Sequence, residues 1–258
     1  MRAILERRSA PAAPWARRLG SFSAVLFLTA ALAHRFALVE TVPFLWLLGI
    51  VGFLAFCGLC LAIVAFVQIW ERGVAGLKAA SLGAVFSALV LVPYAVSGYR
   101  IVIHPQLMDI STDISRPPRF EAAAALRAPP MNRLGAISQD DALLQADAYP
   151  DIAGRRYEHA RNVVVDTVLE LVESRGWWLL SPMPAGDGTG DVTIEAVGRS
   201  YLLGFPSDVA IRIEERWNAT YVDMRSASRY GRHDMGENAE RIRRFLNDLD
   251  RRMERLGS

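Results

Sequence analysis

With two cysteines in 258 residues, the chain cannot build a disulfide scaffold. It carries no glycine-rich phosphate loop, no zinc-type spacing and no dinucleotide fingerprint, and Gly186-x-Gly188-x-Gly190 opens no helix. Nucleotide and zinc chemistry therefore leave no signature, and no cofactor and no metal are expected. Acidic residues are scarce in the first hundred positions, where three (Glu6, Glu40, Glu71) face nine basic side chains; in the remainder twenty-four face twenty. The formal net charge of +2 thus conceals a half at +6 joined to a half at −4. Because the basic excess belongs to the apolar half, a nucleic-acid partner is not expected.

Formal charge is missing altogether from residues 41–70 and 79–99. A helix needs about 20 apolar residues to cross hydrocarbon, so both runs are long enough to span. The link at 71–78 is short, charged and glycine-punctuated, which makes the pair an antiparallel hairpin. Pro93 is tolerable inside the later run if neighbouring groups satisfy the carbonyl that it frees. An earlier run, 19–33, is short and is interrupted by His34-Arg35 before apolar residues resume up to Val39. It reads either as a helix over 19–39 whose Arg35 snorkels to the headgroups, or as the h-region of a signal peptide with Ala31-Leu32-Ala33 at the cleavage site. Pro43 is expected to supply the turn that follows. The resulting plan is a membrane region over 1–103 with spans at about 19–39, 43–69 and 78–99. Ala80, Ala84 and Ala88, beside Ser81, Gly83 and Ser87, suggest a small-residue face for helix packing. Cys57-x-x-Cys60 lies in an apolar run and reads as packing rather than a dithiol site.

Arg2, Arg7, Arg8, Arg17 and Arg18 precede the first run, and Arg72 with Lys78 separates the later two, whereas the first connection offers Arg35 alone. Basic residues near spans resist translocation, which places the N-terminus in the cytoplasm and the C-terminal region outside it. The lipid bilayer is then one partner.

Residues 104–156 are proline-rich, with segments such as Arg116-Pro117-Pro118 and Ala128-Pro129-Pro130 that favour polyproline II. This connection either lifts the next domain off the bilayer or wraps it through Ile110, Phe120 and Ile152, and the specificity of its motifs favours wrapping. Asp109 and Asp113 lack the further oxygen ligands of a metal loop and read as solvated turn residues. From 157 to 175, Tyr157, Ala160, Val164, Val168 and Leu171 follow helical spacing, with Gly176 as the stop. Four alternating runs come next, at 177–183, 192–199, 208–215 and 220–226, the first two separated by a turn at 185–190. Ile242, Phe245, Leu246, Leu249 and Met253 mark a closing helix, begun by Asp234-Met235-Gly236-Glu237 as a capping box. The fold class expected for 157–258 is α+β: a helix, a four-stranded antiparallel sheet and a closing helix, both helices on one face.

Strand alternation puts Val192, Ile194, Ala196, Val209, Ile211 and Ile213 in the core and turns Glu195, Arg199, Arg212, Glu214, Asp223 and Arg225 outward. The segment Arg225-Ser226-Ala227-Ser228-Arg229-Tyr230-Gly231-Arg232 runs from the last strand into a capped helix. Its guanidinium groups, hydroxyls and helix N-terminal amides are the ingredients of an anion or lipid-headgroup site at Arg225, Ser226, Ser228, Arg229 and Arg232, supported by Glu195, Arg199, Asp208, Asp234 and Asn238. The competing reading is a polar brace in which carboxylates already neutralise the arginines. A hydrolase with Ser226 or Ser228 as nucleophile, His233 as base and Asp234 as orienter is disfavoured because such partners normally come from separate elements. The reading preferred over these is an interaction module held at the membrane, which docks an envelope protein through its charged sheet face or a sheet edge.

The blocks Ile194-Glu195-Ala196 through Arg199-Ser200, Leu203-Gly204-Phe205 with Asp208-Val209, Asp223 through Arg229, and Asp234 through Asn238 resemble the domain-of-unknown-function family numbered 1499. Asp109 to Asp113, Pro117-Pro118 and Tyr149-Pro150-Asp151-Ile152 look like the upstream motifs of its membrane-anchored bacterial members. The resemblance covers about the last 150 residues, as one domain would. It implies a bacterial inner-membrane protein of the cell envelope and no particular activity. His233 stands where the family pattern has a small hydroxyl residue.

Overall fold

The computed structural model describes residues 9–180, 185–186 and 191–257. Arg2, Arg7 and Arg8, the end of the first expected strand and the turn at 187–190 lie outside these. The chain divides into two compact units: one runs up to Tyr99 and includes Leu202–Gly204, and the other comprises Arg100–Tyr201 and the chain from Phe205 onward.

In the first unit, α1 (Ala12–Arg35), α2 (Thr41–Arg72) and α3 (Leu77–Ile103) are each long and apolar enough to cross a membrane. The first helix begins and ends earlier than its hydropathy suggested. Phe36 leaves the helical region and Ala37 takes a positive φ of 57°, so 36–40 form the turn. Pro43 therefore sits within the first turn of α2, where no intrahelical partner is needed for the missing N–H. Gly73 ends α2 in a left-handed conformation (φ 62°), as a helix stop requires. The packing face of α3 is Ala80, Gly83, Ser87 and Val90, whereas Ala88 is exposed. The reason is close approach: a Cβ on Gly83 would lie 2.5 Å from the Ala16 carbonyl carbon, and one on Gly20 would lie 2.6 Å from the Gly83 oxygen.

The second unit is built on three long antiparallel strands, β5 (Val192–Arg199), β6 (Pro206–Arg216) and β7 (Ala219–Ser228), in that order across the sheet. The four-stranded expectation is too small. Short strands β1 (Asp109–Ser111) and β2 (Arg155–Tyr157) both pair with the outer edge of β7, and β3 (Trp178–Leu179) and β4 (Ala185–Gly186) with that of β5. Two of these short strands come from the connection, which carries too little alternation over three residues to reveal them. Tyr157 consequently belongs to β2, and its helix, α6 (Arg161–Ser174), starts one turn later than its spacing implied. Between them, α4 (Ala122–Leu126) and α5 (Gln139–Ala148) also lie in the connection.

The core has the expected parity. Ile194, Ala196, Val209, Ile211, Ile213, Val222 and Met224 pack against Val164, Val168 and Leu171 of α6 and against Ile242, Phe245, Leu246, Leu249 and Met253 of α7 (Glu237–Gly257). Leu107, Ile110, Tyr149 and Ile152 from the connection join the same core. Gly176 (φ 62°) ends α6, with the Trp177 amide reaching back to the Val172 carbonyl.

The opposite sheet face is charged, yet it is not open to solvent. Glu195, Asp208, Arg212, Glu214 and Arg225 are all buried, covered by residues 112–136 of the connection. Nor are the edges of the long strands free. The side chain of Gln145 bonds both the N–H and the C=O of Ser111, closing the outer side of β1 as a further strand would.

Candidate functional site

Alternation along β7 separates the residues expected to form one anion site. Ser226 shares the helix-facing parity of Val222 and Met224, while Asp223, Arg225 and Ala227 face the other way.

On the covered face, Arg225 grips Asp109 with two parallel bonds, Nε to Oδ1 at 2.9 Å and Nη2 to Oδ2 at 2.7 Å. It also donates to the Gly135 carbonyl and lies 5.0 Å from the ring centroid of Phe120. Arg229 donates twice to Asp208 Oδ1, at 2.9 and 2.6 Å, and Arg127 donates to Oδ2 at 2.6 Å. The Asp208 carboxylate is fully buried between these two guanidinium groups. Glu195 accepts the backbone N–H groups of Glu121, Ala122 and Ala123 at 2.8–3.0 Å, so a strand carboxylate caps α4 from outside the helix. Arg212 joins Asp113 and Asp223, and Glu214 takes Arg116 and Arg216. Asp109 and Asp113 are thus ion-paired rather than solvated. Burial opposes ionisation of Asp113, but the Arg116 amide and the Arg212 guanidinium outweigh it and hold the carboxyl below its ordinary range.

On the helix face, Ser226 donates to Asn238 Oδ1 at 2.8 Å, and Arg241 donates to both groups at 3.0 and 2.8 Å. Asn238 in turn donates to Ser228 Oγ and to the Met108 carbonyl. Asp234 caps α7 by accepting the amides of Gly236 and Asn238 at 2.9 Å. The reciprocal half of a capping box is replaced, because the Asp234 amide donates to the Leu107 carbonyl instead. Burial pushes the Asp234 and Glu237 carboxyls up and pulls the Arg241 guanidinium down.

His233 accepts the Met235 amide at Nδ1, and its Nε2 lies 3.2 Å from the carbonyls of both Ile101 and His104. Neither it nor Asp234 turns to Ser226 or Ser228, so the nucleophile–base–orienter arrangement is not assembled. Arg232 is exposed beside Arg133, lining a groove of about 430 Å³, and Arg199 is exposed at the end of β5.

The grouping proposed from sequence is therefore two polar networks back to back across one strand. Arg127 and Arg241, which complete these networks, stand outside the residues that the chain order singles out. Nothing local marks Arg127, whereas Arg241 is one position before Ile242 on the apolar side of α7, where burial was legible.

Neither a curated protein nor a solved structure matches this chain. A family model described as "Protein of unknown function (DUF1499)" matches residues 109–249, which begin with the first edge strand and end within α7. Those bounds contain every side chain of both networks, Asp109 and Arg127 included, and the chain belongs to that family.

Proposed function

We propose that this protein is a membrane-anchored interaction module of the bacterial cell envelope, its second unit displayed outside the cytoplasm. The distribution of arginines around the apolar helices supports the orientation. The observation that carries the reading is internal saturation: Arg225 and Arg229, the cations best placed to take an anion, each hold a carboxylate of the same chain. Such a network rigidifies a domain and leaves contact with partners to its outer surface. The charged sheet face is covered by residues 112–136 and the long strands are bordered by short ones, so docking falls to the outer side of the helices. The same saturation disfavours an anion site at the Arg225–Arg229 loop, and the bonding of Ser226 to Asn238 disfavours a hydrolase.

The test has two arms in living cells. A reporter that is active only after export, fused behind Ser258, should be active. A photo-crosslinking residue at Asn247, on the exposed side of α7, should capture a discrete partner that the same residue at Arg119 does not. A reporter active only in the cytoplasm, or equal capture from both positions, would overturn the reading.

A further inference from the structure

Residues 200–205 join β5 to β6, and from 200 to 207 the chain carries no formal charge. The neck of this loop is fixed: the Ser200 N–H donates to the Phe205 carbonyl and the Phe205 N–H to Ser200 Oγ, both at 2.9 Å. What the neck presents is apolar, with Tyr201 88% and Leu202 66% exposed. Turns that face water are normally built from small and polar residues, and an exposed apolar tip marks a contact surface.

Leu202–Gly204 cluster with the apolar helices rather than with the sheet. His34, buried in the last turn of α1, has Nδ1 2.6 Å from the Leu203 carbonyl and Nε2 3.0 Å from the Thr41 hydroxyl at the start of α2. A carbonyl only accepts, so the ring donates from Nδ1 and ties the tip to the turn between two apolar helices. Gly204 is required there, because its φ is 76° and a Cβ would lie 3.1 Å from Arg35 Cα. In the same turn Phe36 and Leu38 are 71% and 79% exposed. The chain leaving α3 supplies a second, independent bearing. Its strand β1 begins six residues after Ile103, and Asp109 there pairs with Ala227, which on its other side pairs with Asp208, just beyond the tip. Three consecutive spans bring the end of α1 and the end of α3 to one side of a bilayer, whichever way the first is inserted.

We propose that the β5–β6 tip is a bilayer anchor: Tyr201 and Leu202 enter the boundary between headgroups and acyl chains beside the α1–α2 turn. Tyrosine suits that depth because its ring is apolar while its hydroxyl stays wet, and leucine gains by leaving water. With no charge from 200 to 207, entry desolvates no ion and needs no anionic lipid. The bonded N–H groups of the neck are not carried in unsatisfied. This contact goes beyond the interaction-module reading, because it uses a different surface from α7 and a different partner, the lipid itself.

The experiment uses the full chain with C57A and C60A, reconstituted in vesicles of phosphatidylcholine alone, with a nitroxide attached in turn at L202C, Y201C, F36C and W217C. Position 217 lies past the far end of β6, about 33 Å along the strand at the usual rise. Depth is read by collision with oxygen, which concentrates in hydrocarbon, and with a polar nickel chelate, which stays in water. At least one of the labels at 201 and 202 should favour oxygen several-fold more than the label at 217 does, and match the label at 36. The two tip positions keep the result readable if one label disturbs the loop. Water access at both equal to that at 217 overturns the proposal. Shielding of both from both reagents also overturns it, because a protein, whether a second copy or another chain, then covers the tip. The label depths read neither export nor capture at Asn247, so the anchor and the interaction-module reading fail separately.

Discussion

Arg127 and Asp208, 81 residues apart in sequence, meet in the dry layer beneath the sheet, with Nε 2.6 Å from Oδ2 and both side chains almost wholly excluded from solvent. Arg229 holds the other oxygen of the same carboxylate. This three-residue bridge ties the connection, the central strand and the loop before α7 into one unit.

Asp208→Ala should be the most damaging change in that bridge, because it strands two guanidinium groups. Removing one partner of a buried pair typically costs about 3 to 5 kcal/mol, and Arg127→Ala should fall in that range. Arg229→Ala should cost less, its side chain being partly exposed. Denaturant unfolding of the full chain followed by tryptophan fluorescence gives the order, and equal midpoints for parent and Asp208→Ala would refute it.

Glu195→Ala is expected to loosen the covering layer without unfolding the sheet. The carboxylate satisfies three amides at the start of α4, and loss of a cap typically costs about 1 kcal/mol, more where buried donors stay unpaired. Hydrogen exchange at the amides of Ala122 and Ala123 should accelerate far more than exchange in β6. Unchanged protection at those amides would show that other groups cap the helix.

The pH dependence of stability should carry a signature of Asp234. Burial raises its folded pKa above the ordinary 3.8, so the folded state binds this proton more tightly than the unfolded state. Its favourable contribution is complete below the unfolded value and is lost as pH rises through the folded one. Asp234→Asn removes that proton linkage. The melting temperature of the variant relative to the parent should therefore improve as pH rises from about 4 to 7. Parallel curves over that window would contradict the shift.

Trp217 caps the β6–β7 hairpin while 94% exposed, with φ 53°, and Asn218 follows at φ 61°. A two-residue turn of this hand suits Asn-Gly, and a bulky residue pays about 1 to 2 kcal/mol for the left-handed region. W217N combined with N218G should raise the unfolding midpoint, since no packing is lost with the exposed indole. A lower midpoint would mean that the indole stabilises the hairpin through contacts made in solution.

The chain order alone determines the two long uncharged helices, the link at 71–78 that joins them, the long strands and the parity of their cores. Each of these is a local property: uncharged length against bilayer thickness, and side chains repeating at two or at 3.6 residues. Val209, Ile211 and Ile213 announce a buried face without reference to anything distant. What covers the other face is a different question, because alternation reports that Glu195, Arg212 and Arg225 leave the core but not whether they reach water. Tertiary structure decided that, by laying a proline-rich connection across them and burying the charges in pairs. It also decided that Ser226 and Arg225, adjacent in sequence, serve opposite sides of one sheet, and that Gly83 rather than Ala88 faces the helix bundle. Pairings such as Asp109 with Arg225 join residues more than a hundred positions apart, where no local periodicity extends, and only the folded register brings them within hydrogen-bonding distance.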